Sequence, residues 1–213
     1  MKLIIFPGST DPYKKRNKKS YQILIDEAKN RGFSDVKLIT YPGHHSNEIK
    51  KSLNSSVAKQ VMKQTIVNAE AEKEEYIVFV RSFGCNPFLQ FLFEKQDDLK
   101  FLKKCIVWGP YSYHKWFEVT DGLVTTELNE FGVKISNDFF NTIYPIEVSI
   151  NKIKNSFPII ITSGTDDADY PIEFHNYLSS INRNNNIFFS NLIKGVAHVV
   201  EEKNVEYFEL IFG

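Results

Sequence analysis

Six short runs of Ile, Val, Leu and Phe recur along the chain, at Lys2–Phe6, Val36–Tyr41, Tyr76–Val80, Cys105–Trp108, Pro158–Thr162 and Ile187–Leu192. Most are apolar almost throughout instead of alternating with polar residues. A strand with one wet face alternates. A strand buried on both faces does not, which is the pattern of a parallel sheet covered by helices. Segments of helical period lie between most of the runs. Ser20–Arg31 places Tyr21, Leu24, Ile25 and Ala28 on one face and is followed by Gly32, a stop signal. Val57–Lys73 repeats the pattern. Asn86–Asp97 carries Pro87 in its first turn, where a missing N–H costs nothing. Pro171–Ser180 and Val199–Phe212 complete the set. Strands alternating with helices imply right-handed crossovers and a three-layer α/β/α sandwich. Its sheet is expected to have about six strands, mostly or wholly parallel.

The interval from Tyr111 to Lys154 breaks the rhythm. It holds Tyr111, Tyr113, Trp116, Phe117, Phe131, Phe139 and Phe140 with no clean period. A structureless loop of that length is improbable in a compact domain. A small helical cap insertion around 111–154 over one end of the sheet is expected instead, its aromatics packing the cap and lining part of a cleft. The chain shows no repeat, linker or low-complexity stretch. Its 213 residues, 42% hydrophobic and 24% charged, suit one domain spanning 1–213.

Lysine and arginine (26) balance aspartate and glutamate (26). A neutral chain offers no global attraction for nucleic acid or an anionic membrane. The one local exception is the run Lys14, Lys15, Arg16, Lys18 and Lys19, read as a solvated helix start or loop, with an anion site near the cleft mouth as the other reading. Cys85 and Cys105 match no metal spacing and are expected as reduced thiols. The apolar run before Pro7 is too short for a signal-peptide core, and no run approaches membrane-spanning length. A cytoplasmic protein is expected.

Open parallel sheets bind ligands beyond the carboxyl ends of their strands. The first run is followed by Pro7-Gly8-Ser9-Thr10-Asp11-Pro12 and the second by Pro42-Gly43-His44-His45-Ser46. Arg81-Ser82-Phe83-Gly84-Cys85 follows the third. Ser163-Gly164-Thr165-Asp166-Asp167-Ala168-Asp169-Tyr170-Pro171 comes at the fifth, and His198 after the sixth. One sheet edge therefore carries a serine, several aspartates and a histidine in that order. A serine hydroxyl becomes a useful nucleophile when an imidazole takes its proton, and a carboxylate orients the imidazole. The oxyanion that forms needs preorganised N–H donors. A sharp strand-to-helix turn supplies some of them, because the first N–H groups of a helix have no intrahelical acceptor.

These motifs resemble the α/β-hydrolase superfamily over nearly the whole chain. Ser82 and Gly84 stand as in its small-x-Ser-x-small nucleophile elbow. "GTDDADYP" is similar to its Gly-x-x-Asp-x-x-Val-Pro pattern, with Tyr170 in place of Val. That register implies Asp167 as the catalytic acid, with Asp166 its main competitor and Asp169 set aside. His198 matches the histidine after the last strand. "FPGST" resembles the oxyanion loop, with Pro7 in the His place, and "YPGHHS" resembles the turn after the next strand. The resemblance implies Ser82, Asp167 and His198 as a catalytic triad, and the backbone N–H groups of Ser9 and Phe83 as oxyanion donors. It implies no metal or organic cofactor, and a sheet that begins at the family's third strand, in the order 2-1-3-4-5-6. Val80 departs from the family, which keeps glycine there. It suggests altered packing or a slightly opened elbow.

The resulting expectation is a serine hydrolase that cleaves a small carboxylic ester or thioester through an acyl-enzyme. Its partner is a small-molecule acyl substrate; oligomeric state stays open. The same triad serves peptidases, amidases and acyltransferases. A reading of another class is a non-catalytic ligand-binding protein of the same fold, for which Val80 speaks. A Rossmann or flavodoxin-like nucleotide binder is the fold-level rival, disfavoured because no Gly-x-Gly-x-x-Gly follows the first run. His44 and His45, adjacent in a turn, read as structural, not as a metal pair. His114 and His175 have no partners that sequence identifies. Cys85, one helical turn past Ser82, reads as packing.

Overall fold

The six apolar runs form the strands of one sheet. The structure is a computed structural model that describes residues 1–8, 12–13, 15–42, 55–95, 99–110, 153, 157–167, 172, 176–177, 188–198, 208–209 and 212–213. In chain order these give β1 (Lys2–Phe6), α1 (Lys15–Asn30), β2 (Asp35–Leu38), α2 (Ser55–Ala71) and β3 (Tyr76–Arg81). A 3₁₀ turn (Ser82–Gly84) then leads into α3 (Cys85–Glu94), followed by β4 (Leu102–Trp108), β5 (Ile159–Gly164) and β6 (Phe188–Ile193). The sheet runs β2-β1-β3-β4-β5-β6, and every pair is parallel. This is the expected α/β architecture, in the expected strand order.

The unbroken apolar pattern follows from two cores, one on each side of the sheet. Ile4, Phe6, Tyr76, Val78, Val80, Cys105, Val107, Ile159 and Ile161 face α2 and α3. Their alternates Leu3, Ile5, Ile77, Phe79, Ile106 and Trp108 face α1, joined by Phe208. The apolar positions of the central strands thus serve one core or the other, and polar residues are confined to strand ends, such as Lys103 of β4 and Arg81 of β3. Helix α3 is buried from Cys85 to Leu92, so its sequence lacks an exposed stripe. Helix α2 shows the usual period, burying Ala58, Met62, Ile66 and Ala69.

Boundaries differ from expectation where periodicity is silent. Helix α1 starts five residues before Ser20, at Lys15. Its first turn has no apolar residue, so no hydrophobic pattern marks it. The basic run lies in this helix start, with Lys18 and Lys19 exposed; Lys14 is outside the described residues. The helix ends as Gly32 foretold. Gly32 adopts φ +84°, its N–H bonds the carbonyl of Lys29, and that of Phe33 bonds Ala28, a Schellman motif. Strand β2 stops at Leu38 instead of Tyr41, because it is an edge strand whose single neighbour ends at Phe6. Of the last two expected helices, residues 172, 176–177, 208–209 and 212 are helical. The expected cap lies outside the described residues, except that Ile153 is buried against the α2–α3 core.

The loops after β5 and β6 are stitched together. Thr165 N–H donates to the Ile193 carbonyl, Asp166 N–H to that of Val196, and Gly195 N–H to Thr165 Oγ1. The approach is so close that a Cβ at Gly164 would lie 1.7 Å from the Val196 oxygen. Gly164→Ala should therefore destabilise the protein by about 3 kcal/mol, an overpacking cost with backbone as the obstacle. Urea denaturation measures it, and an unchanged midpoint would show that the two loops can part freely.

Candidate active site

Ser82 sits at the carboxyl end of β3, between β1 and β4. Arg81 before it is extended, with φ −130° and ψ 140°, and Cys85 after it is already α-helical. Ser82 itself takes φ +51°. This left-handed conformation costs a non-glycine residue about 1–2 kcal/mol. The turn therefore reverses the chain within one residue, and Gly84 makes the reversal sterically possible. A Cβ on Gly84 would stand 2.7 Å from the Pro7 oxygen and 3.0 Å from Tyr41 Oη. The Val80 side chain, where the family keeps glycine, is wholly buried in the core beside α3.

The imidazole and carboxylate meet at the ends of β6 and β5. His198 Nδ1 lies 2.8 Å from Asp167 Oδ2. The carboxylate is almost fully covered, at 2% exposure, while the imidazole keeps 25%. Asp166 points elsewhere; it is exposed and accepts a bond from Thr165 Oγ1. Asp169 lies outside the described residues. A carboxylate can only accept, so Nδ1 carries the proton and Nε2 is left as a base. The backbone of His198 is held as well, because Trp108 Nε1 donates to its carbonyl at 3.1 Å.

Gly109 packs against the His198–Asp167 pair. It follows β4, whose Trp108 is registered with Arg81. It takes φ +54°, and a Cβ there would come within 2.8 Å of His198 Cε1 and 3.2 Å of Asp167 Oδ2. The chain leaving β1 passes close to Ser82. A Cβ on Gly8 would lie 3.1 Å from Ser82 Cβ and 3.5 Å from its Oγ. The sequence reading named no residue after the fourth strand, so Gly109 was missed. A glycine directly at a strand's carboxyl end is the signal that marks it.

Burial pushes the His198 imidazole below its ordinary pKa. The Asp167 hydrogen bond opposes that shift, and the nearby Arg81 charge reinforces it. Arg81 is itself buried, with its guanidinium carbon 5.6 Å from the centre of the Tyr21 ring. Cys85 is no competitor to Ser82. Its sulfur is fully buried against the carbonyls of Val80 and Trp108, and burial raises its thiol well above the ordinary value. Both cysteines are free thiols. Phe83 belongs to the 3₁₀ turn after Ser82, whereas Ser9 lies outside the described residues, as do His44, His45, His114 and His175. Among the described residues no group of three His, Cys, Asp or Glu side chains is placed to hold a metal, and no helix is long and apolar enough to cross a membrane.

No protein-family model matches the sequence, and no curated protein does. Solved structures do match. Est1E from Butyrivibrio proteoclasticus, solved with ferulic acid bound, aligns with TM-score 0.69 at 16% identity, over 99% of this chain and 86% of its own. A monoacylglycerol lipase from Paleococcus ferrophilus aligns with TM-score 0.63 at 14% identity, covering 99% and 92%. Mouse alpha/beta hydrolase domain-containing protein 10 aligns with TM-score 0.61 at 15% identity, covering 99% and 85%. What these proteins share with the chain at such low identity is their architecture: the chain has the α/β-hydrolase fold.

Proposed function

We propose that this protein is a serine hydrolase that cleaves a small carboxylic ester or thioester through an acyl-enzyme. The observation that carries the reading is the left-handed Ser82 at the end of a central strand of a parallel sheet whose later strands are followed by a hydrogen-bonded His198–Asp167 pair. A loop serine has no reason to hold that strain, and strained backbone is concentrated at functional sites. The monoacylglycerol lipase of the same fold is consistent with it.

In this mechanism Ser82 Oγ attacks the carbonyl carbon and passes its proton to His198 Nε2. Asp167 holds the imidazole in the correct tautomer and stabilises the imidazolium. The oxyanion is met by the Phe83 N–H and, further along the β1 loop, by that of Ser9. Collapse of the intermediate expels the alkoxide or thiolate, which takes the proton from Nε2. Water then attacks the acyl-enzyme, gives a proton to Nε2, and Ser82 recovers it as the acid departs. No step calls for a metal or organic cofactor. The substrate is a small acyl compound, and the cap expected at 111–154 is proposed to set its acyl length.

A fluorophosphonate probe should label the purified protein once, and Ser82→Ala should abolish labelling. Equal labelling of both would remove Ser82 from the mechanism. An unlabelled wild type that still binds ligands would instead mark a binding protein. A panel of p-nitrophenyl esters, acyl thioesters and aminoacyl amides separates esterase from amidase chemistry.

The pH profile follows from the direction of the His198 shift. A lowered pKa keeps the imidazole neutral, hence basic, to lower pH, and activity is lost only as pH falls through that value. The acid limb of kcat/KM should therefore lie below the ordinary histidine value of 6.5. A limb above it would contradict the buried environment of His198.

Gly109→Ala should displace the imidazole, since the added methyl would press on Cε1 and Nδ1 at 2.8 and 2.9 Å. A misplacement of that order lowers turnover by about 10²-fold. Steady-state kinetics with a folded variant checks it, and wild-type kcat would show that His198 is not the base.

A further inference from the structure

The turn that carries Ser82 meets a neighbour on each flank. On the β1 side, Gly8 packs on Ser82 and Gly84 on the Pro7 carbonyl. The peptide between Pro7 and Gly8 is itself gripped at both polar atoms. Tyr41 Oη donates to the Pro7 carbonyl at 3.2 Å, and the Gly8 N–H donates to Tyr21 Oη at 3.1 Å. The two phenols belong to opposite cores, Tyr21 to the one under α1 and Tyr41 to the one under α2 and α3. On the β4 side, the turn meets Trp108. The Cys85 thiol lies 3.5 Å from the Trp108 carbonyl, and the Cys85 N–H donates to the Ser82 carbonyl.

Trp108 also reaches the base. Its side chain is wholly buried in the core under α1. An indole N–H can only donate, and burying it unpaired is costly. Here Nε1 donates to the His198 carbonyl at 3.1 Å. A phenylalanine would fill such a core without that obligation. The next residue, Gly109, packs against the His198 ring, and its N–H donates to the Thr162 carbonyl of β5 at 2.9 Å. The end of β4 is therefore still laddered to its neighbour where it meets His198. One residue of that end holds the main chain of the base, the next lies against its ring, and Asp167 takes Nδ1.

We propose that Trp108 is a positioning residue that ties the base to the nucleophile turn, its indole N–H holding the His198 main chain and its carbonyl facing the first residue of α3. This rests on the serine hydrolase reading. The links run from the His198 carbonyl through the indole and carbonyl of Trp108 to Cys85, and from the Cys85 N–H to the Ser82 carbonyl. The indole bond is the strong link. A thiol is a weak donor, so Cys85 adds chiefly contact. His198 follows β6, two strands removed from β4, whereas Ser82 ends the strand beside β4. The indole spans that gap, so the base is referred to the strand next to the nucleophile and not to the β5 and β6 loops alone. Proton transfer from a serine demands such placement, because small displacements of a catalytic group are costly in rate. Trp108 reaches neither substrate nor reacting atoms in this scheme; it acts through the main chain of His198.

The test uses Trp108→Phe and, as an isostere, β-(3-benzothienyl)alanine introduced at position 108 alone. The isostere keeps the ring volume and lacks only the N–H, so it carries every readout if Trp108→Phe does not fold. With a p-nitrophenyl ester, kcat should fall about tenfold in both, with KM little changed, a smaller loss than a full 1 Å misplacement brings. The rate of fluorophosphonate labelling should fall by the same factor. In proton NMR, the Nδ1 proton that His198 shares with Asp167 should give a low-field resonance in the wild type and a broadened one in both variants, a readout that needs no substrate. A merely structural role would lower the unfolding midpoint and leave kcat, labelling rate and resonance unchanged in the folded protein. Wild-type kcat in the folded variants, with Ser82→Ala unlabelled, would overturn the tie and leave the serine reading intact. Labelling of Ser82→Ala as strong as wild type would overturn the serine reading, and the tie with it.

Discussion

A serine held with φ +51° at the end of the third strand is the constraint from which the rest of the site follows. Such a conformation persists only where the surroundings over-determine it. Here they do so on both flanks. Strand β3 is registered with β1 through Phe6 and Val80, and with β4 through Arg81 and Trp108. The backbone of the β1 loop presses on the turn at Gly8 and Gly84. With two parallel neighbours and an α3 buried from Cys85 to Leu92 behind it, the turn has nowhere to relax. Its side chain is delivered above the sheet edge as a result.

The His198–Asp167 pair is set by a separate construction. The loops after β5 and β6 are joined by three hydrogen bonds from backbone N–H groups, and Trp108 of β4 adds a bond to the His198 carbonyl. Asp167 and His198 are therefore set at 2.8 Å by the sheet itself. Covering the carboxylate almost completely removes water that would compete for the imidazole. Removing that water also disfavours the charged imidazolium, which is why burial outweighs Asp167 in setting the imidazole pKa. The pair is thus oriented strongly but kept basic.

Much of this was legible in the residues. The unbroken apolar runs announced a two-faced parallel sheet, because each central strand feeds two cores. Gly32 marked a helix end because only a left-handed residue closes a Schellman motif. The pattern around Ser82, Asp167 and His198 was legible because strand ends in a parallel sheet share one edge. Other features left no local trace. The first turn of α1 has no apolar residue, so its start was misplaced by five positions. Strand β2 looked longer because its pairing limit is imposed by another strand. Val80 departs from the family's glycine, and its side chain enters the core beside α3. Tyr21 and Tyr41 looked like ordinary core aromatics, since a phenol's hydrogen-bond partner is not written in its neighbours.

By itself, then, the sequence determined the layers and which residue types arrive at one sheet edge, because hydrophobic period and chain order are local properties, while the strand order came from the family resemblance. Tertiary structure alone decided how closely Asp167 meets His198, that Gly8 packs on Ser82 and Gly109 on the His198–Asp167 pair, and that two tyrosines from opposite cores grip one peptide. These depend on distances between segments far apart in the chain, and a sequence carries no measure of such distances until the sheet brings the segments together.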